Sequence, residues 1–234
     1  MLNRIVFVAL LAGALAGLIT SALQQALVVP LILAAETYEA ATPHHHDATG
    51  AEVEAAPAAP ATTHDPAVFD LRRAAITTVA TIGAAVGFAL MLLAAMQALG
   101  ETISIGSALA WGAAGFAAVG LAPALGLAPE LPGSAAGDLN MRQLWWAGTV
   151  LATAIGLWLM IRKRTSWALA LGALTLAAPH VVGAPHPILL TSTVPAELAS
   201  AFVARSLAIQ AIFWMLIAAF AGYFWTWRET GARA

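Results

Sequence analysis

The chain has 234 residues, of which 61% are hydrophobic and only 9% charged; 10 Lys and Arg stand against 12 Asp and Glu, a formal net charge of −2. Soluble domains carry roughly 45–50% apolar and about 25% charged residues, so this composition excludes a water-soluble globule and places the chain in lipid. The absence of cysteine excludes disulfides, thiolate metal sites and redox-active thiols, and with so few basic residues no nucleic-acid partner is expected.

A helix rising 1.5 Å per residue needs about 20 apolar residues to cross a hydrocarbon core of about 30 Å. Six stretches approach or exceed that length: Ile5 to Leu33, Ala74 to Leu99, Ile105 to Leu125, Leu144 to Ile161, Trp167 to Val182 and Phe202 to Trp225. The predicted fold class is therefore all-α, a polytopic integral membrane helix bundle of about six transmembrane helices forming a single membrane domain over residues 1–234. The fifth stretch is the shortest, so five crossings is the alternative count. None of the stretches alternates as the strands of a lipid-embedded barrel do. The first resembles a signal peptide in its leading Arg4 and trailing Ala34 and Ala35, but it is about twice as long as a 7–15-residue signal core and is expected to be retained.

After the first stretch comes a segment, 34–72, whose acidic groups are Glu36, Glu39, Asp47, Glu52, Glu54, Asp65 and Asp70; no Lys or Arg precedes its final residue, Arg72. Alanine, proline and threonine fill much of the rest, the composition of a stiff, solvated, partly disordered loop. Within it His44, His45 and His46 adjoin Asp47. Imidazole is a borderline ligand favoured by divalent cobalt, nickel, copper and zinc, so this cluster suits an exchangeable metal site that discriminates little among them. A solvated tether whose histidines happen to cluster is the alternative reading.

Further along, small residues recur at helix-packing spacing: Gly13 and Gly17, Gly83 and Gly87, Gly106 and Ala110, Ala218 and Gly222. The predicted spans have no charged residue at their centres; the polar exceptions are Gln24, Gln25, Gln97, His180 and Gln210. Each glutamine is expected to serve as interhelical glue. Segments 126–142 and 183–201 read as the second and third loops on the side of the histidine loop. His180 and His186 fall in a run with Pro179, Gly183, Pro185 and Pro187, which predicts a broken helix end where either ring could face a cavity or simply satisfy its hydrogen bonds at the interface. Glu36, Glu39, His180 and His186 are thus candidate metal-contacting residues beside the His44 to His46 cluster.

Basic residues set the orientation. With six crossings, Arg4, the Arg162-Lys163-Arg164 turn, Arg228 and Arg233 share one side, and Arg72, Arg73, Arg142 and Arg205 the other. The first side is expected to be cytoplasmic, carrying both termini, with the histidine loop outside. No phosphate-binding loop, zinc-protease pair or nucleophile elbow occurs, and no enzymatic activity or resident cofactor is expected.

Several segments together resemble the CbtA family of proposed cobalt transporter subunits. They are Gly13 through Gly17, Gln24-Gln25 through Pro30, Glu36 to Glu39, Trp111-Gly112 through Phe116, Leu121 through Gly133, Arg142-Gln143-Leu-Trp145-Trp146, and Pro179-His180 through Pro185. The resemblance implies a multi-pass protein of a bacterial inner membrane that takes up a divalent transition metal, with Co2+ as the transported ion and a link to cobalamin synthesis. It also implies a small single-span, histidine-rich partner, CbtB. The residues alone say only a borderline divalent cation, so Ni2+ and Zn2+ remain alternatives. A non-transporting accessory or scaffold protein that binds metal or recruits a partner is the rival reading.

Overall fold

The computed structural model describes residues 2–40, 70–135, 137–187 and 192–231, except for the side chains of residues 39, 40 and 229–231. Seven helices and no strand occur among the described residues: α1 (Leu2–Leu27), α2 (Val29–Ala40), α3 (Leu71–Ala98), α4 (Ile105–Ala124), α5 (Leu139–Lys163), α6 (Ser166–Val182) and α7 (Ala196–Gly231). Five of them, α1, α3, α4, α5 and α7, are long and apolar enough to cross a membrane, whereas α6 has 17 residues and is shorter than these. The protein is thus a helical membrane bundle, and the five-span alternative has its origin in the short α6.

The first predicted span is divided. Pro30 has no amide hydrogen and its ring collides with the carbonyl four residues back, so the helix that begins at Leu2 ends at Leu27. The Val28 amide still donates to the Gln24 carbonyl at 2.9 Å, and α2 restarts beyond this turn. The Leu27 carbonyl left exposed by the break accepts from Arg205 Nη1 of α7 at 3.0 Å, a cation at a helix C-terminus. At the other end of the chain α7 runs from Ala196 to Gly231, well beyond the apolar core that marks it in the sequence.

Side-chain bonds fix the direction of each helix. Arg4 at the start of α1 donates to the Trp225 carbonyl near the end of α7 at 2.6 Å, so these helices are antiparallel. Ser21 and Thr78 pair at 2.7 Å and make α3 antiparallel to α1. Ile105 opens α4 beside Gly222 of α7, and Arg162 at the end of α5 pairs with Glu101 in the α3–α4 turn. α6 returns against α5, with Trp145 Nε1 donating to the Pro179 carbonyl at 3.1 Å. Arg4, Arg162 and Arg228 therefore cluster at one end, which holds the first and last described turns of the chain, while Arg73, Arg142 and Arg205 cluster at the opposite end.

Close approach in lipid depends on small residues. A Cβ on Gly13 would lie 2.5 Å from Val86 Cα and one on Gly17 2.5 Å from Ile82 Cα, so the backbones of α1 and α3 touch there. The Gly83 and Gly87 pair does not take part, for nothing lies within 4 Å of a Cβ placed on either, and Gly106 is equally open. Gly112 and Gly222 bring α4 onto α7, one against Ala218 and the other against Ile105. Residues of α1, α3, α4 and α7 form the main core, including Val8, Ala16, Leu93, Met96, Phe213, Trp214 and Ile217. α5 and α6 make a separate hairpin whose contact is tightest where Gly156 meets Gly172.

Two π-turns interrupt this regularity. In α4 the segment Ala117–Leu121 is π-helical, and the Ala122 amide bonds back to the Ala117 carbonyl, five residues earlier. It directly precedes Pro123, which cannot donate, and a wider turn there accommodates the missing bond. The second, Leu159–Lys163, ends α5 and is stopped by Arg164 in the left-handed region at φ 50°.

Candidate functional site

Three helices each carry a pair of polar side chains one turn apart: Thr20 and Gln24 on α1, Thr77 and Thr81 on α3, Ser206 and Gln210 on α7. Residues four apart share a helix face, so each pair presents two polar groups in one direction. Packing α1, α3 and α7 together directs all three pairs into one cleft of about 770 Å3. Arg73, Val29 and Ile32 lie toward its mouth, at the end opposite Arg4, and Phe88, Phe213 and Trp214 form its floor. From Arg73 to Phe88 the cleft follows α3 for about 22 Å, most of the depth of a hydrocarbon core.

Hydrogen bonding inside the cleft is incomplete. Thr81 Oγ1 donates to Gln24 Oε1 at 3.1 Å, which ties α3 to α1. Thr20 is 1% exposed, yet its hydroxyl oxygen has no partner among the described residues. The floor is packed aromatic carbon: Phe88 meets Phe213 edge-on at 5.9 Å and Trp214 at 5.0 Å. At the mouth Arg73 Nη2 pairs with Glu36 Oε1 at 3.0 Å, with both side chains about two-fifths exposed. Among the described residues Arg73 is the one charged residue lining the cleft, and Glu36 pairs with it.

A second cavity of about 390 Å3 lies beside the first and shares Pro129 and Gln210 with it. The α4 π-turn supplies Val119 and Gly120 to its wall, and the rim carries Arg142 paired with Glu130 at 2.7 Å. Gln210 packs against Gly120 so closely that a Cβ there would sit 2.6 Å from the amide oxygen.

The sequence-derived metal candidates are placed as follows. Glu36 sits on α2 and is engaged by Arg73. His44, His45, His46 and the side chain of Glu39 lie outside the described residues. His180 is on helical backbone in the last turn of α6, its ring edge-on to Trp145 at 5.9 Å. The helix runs through Pro179 and stops at Gly183, whose φ of 86° suits glycine. His186 is exposed beyond that break and packs its backbone near Gly137. No three His, Asp or Glu side chains converge on a metal-sized site among the described residues. Sequence reasoning named Gln24 and Gln210 but missed Thr20, Thr77, Thr81 and Ser206. The signal available was the repeated four-residue spacing of polar groups on three apolar helices.

The bundle thus holds a cleft that mixes hydroxyl and amide groups with apolar side chains. Among known families, the profile described as "Probable cobalt transporter subunit (CbtA)" matches residues 2–226. The chain belongs to the CbtA family. No curated protein and no solved structure matches it. The CbtA family is that of a membrane transporter subunit, in keeping with the exposed apolar residues on the helices, such as Leu10, Val79, Leu151 and Leu174.

Proposed function

We propose that this CbtA protein is the membrane component of an uptake system for divalent cobalt that feeds cobalamin synthesis. It would reside in the bacterial inner membrane with both termini cytoplasmic, and its partner would be a small single-span, histidine-rich, CbtB-like protein. The observation that carries the reading is the polar cleft. Its Arg73 end lies away from Arg4, Arg162 and Arg228, which is the outer end if the larger basic cluster faces the cytoplasm. In this scheme His44, His45 and His46 gather metal ahead of the cleft, Glu36 and Glu39 attract it to the mouth, and His180 with His186 flank a vestibule formed by the α6–α7 connection. Regions 34–72, 126–142 and 183–201 would then share the outer side.

An inside-negative potential drives a divalent ion inward by about 4.6 kcal/mol per 100 mV, twice the single-charge value, so nucleotide hydrolysis is not required. The protein would bind no resident cofactor and perform no covalent chemistry. The test is uptake of radioactive cobalt into proteoliposomes holding the full chain, with and without that potential and with nickel and zinc as competitors. Potential-driven uptake supports transport. Its absence from folded protein, restored by adding the partner, would assign the chain an accessory role within the complex.

A further inference from the structure

We propose that the cleft between α1, α3 and α7 seats one zwitterionic phospholipid of the adjoining leaflet, of the phosphatidylethanolamine type. Its phosphate rests on Arg73, its ammonium group on Glu36, and an acyl chain runs down to Phe88, Phe213 and Trp214. The site goes beyond the uptake reading and does not rest on it; an ion crossing by this cleft would do so only after the lipid has left. Polarity falls along the cleft in the order a phospholipid needs. The Arg73–Glu36 pair stands at the mouth, the hydroxyls of Thr77 and Ser206 and the Gln210 amide follow, and aromatic rings close the floor. Ester carbonyls only accept hydrogen bonds, and hydroxyl and amide groups donate them.

The depths agree with one leaflet. Thr77 to Phe88 spans about 16 Å of α3, against about 15 Å for half a hydrocarbon core, and Arg73 lies about 6 Å further out, within a headgroup layer of about 5–8 Å. Ile76, Ala80 and Ala84 line one wall and are exposed, so the cleft is reached from the flank of the bundle, where lipid lies. An acyl chain entering there leaves one apolar medium for another, so selectivity resides in the headgroup contacts. Arg73 suits a phosphate, which its planar fork of donors binds with charge-assisted bonds. Its bond to Glu36 engages one nitrogen and one carboxylate oxygen, and with both side chains about two-fifths exposed the other donors and the second oxygen remain accessible. A zwitterionic headgroup extends this pair into four alternating charges that sum to zero. An anionic headgroup brings its phosphate near Glu36 with no ammonium to pair with it.

The experiment titrates the full-length chain in mild detergent with phosphatidylethanolamine and phosphatidylglycerol of matched acyl chains, reading bound lipid by native mass spectrometry. The expected result is one phosphatidylethanolamine per chain, held more tightly than phosphatidylglycerol. Losing the charge-assisted bonds of the guanidinium weakens binding about tenfold or more in Arg73→Ala. Glu36→Gln removes the preference between the two lipids, and Ala84→Trp, which fills the cleft below the mouth, weakens both. Phosphoethanolamine, which has the headgroup without the chains, does not compete. Size-exclusion elution and helical circular dichroism confirm that each variant is folded, and if Arg73→Ala is not, Glu36→Gln and Ala84→Trp carry the test. Equal binding of both lipids by the unaltered chain, undiminished binding in Ala84→Trp or in folded Arg73→Ala, or displacement by phosphoethanolamine overturns the proposal. The first two of those results would leave only the ordinary lipid coat of a membrane protein, and the last a site for a free phosphate compound.

Discussion

Two glycine pairs of identical spacing face different surroundings, and the contrast makes a sharp test of how α1 and α3 are held. Replacing Gly13 and Gly17 together with alanine places Cβ atoms 2.5 Å from Val86 Cα and Ile82 Cα. Carbon atoms rest about 3.5–4.0 Å apart, so the two helices must separate by about 1 Å or more. That shift lengthens the Ser21–Thr78 bond from 2.7 Å and the Thr81–Gln24 bond from 3.1 Å, to about 3.7 and 4.1 Å, beyond useful hydrogen-bond range. Overpacking costs about 1–3 kcal/mol at each site and each lost interhelical bond about 0.6 kcal/mol, while alanine's better helix propensity returns about 1 kcal/mol per site. The net loss is about 1–5 kcal/mol, or a fall of about 3–15 °C in the melting temperature of the detergent-solubilised protein. Cobalt uptake should fall with it, because the same separation distorts the cleft. Gly83→Ala with Gly87→Ala meets nothing within 4 Å and should leave the melting temperature unchanged or slightly raised. Equal damage from the two double variants would refute the assignment of the packing face.

Other perturbations reach different parts of the molecule. Trp145→Phe keeps a ring against His180 but removes the bond to the Pro179 carbonyl, which still accepts from the Gly183 amide; the loss should be about 1 kcal/mol, read as a melting temperature lower by a few degrees. Thr153 is 2% exposed and its hydroxyl has no partner among the described residues, so Thr153→Val should leave stability unchanged or raise it by up to about 1 kcal/mol in the same thermal scan. The triple change of His44, His45 and His46 to alanine should reduce uptake only at low external cobalt, raising the half-saturating concentration with little effect on the maximal rate. A lowered maximal rate would place the cluster inside the transport path instead of ahead of it.

How far the molecule could be read from its sequence differs between features for physical reasons. Apolar length located all six long or near-long helices, because satisfying the backbone in lipid leaves a segment few options. The division at Val28 was hidden by the continuous apolar run from Ile5 to Leu33, although Pro30 was the residue to weigh against it. Gly13 with Gly17 and Gly83 with Gly87 are indistinguishable by spacing, since spacing fixes a helix face but not which face meets a neighbour. The cleft was half legible. Gln24 reads alone as interhelical glue and indeed bonds to Thr81, and only the convergence of three helices turns such pairs into a lining. His180 was expected on irregular backbone, yet Pro179 lies inside α6, and the positive φ that ends the helix falls three residues later at Gly183.

The cleft also has a place in the order of synthesis. Two of its walls, α1 and α3, emerge before the third, α7, which is locked to α1 by Arg4 at one end and Arg205 at the other. A growing chain that has inserted α1 through α6 therefore has the polar faces of Thr20, Gln24, Thr77 and Thr81 but no enclosure around them. The cleft is complete only when α7 closes on α1 and α3, so a chain that has inserted α1 through α6 does not yet present it.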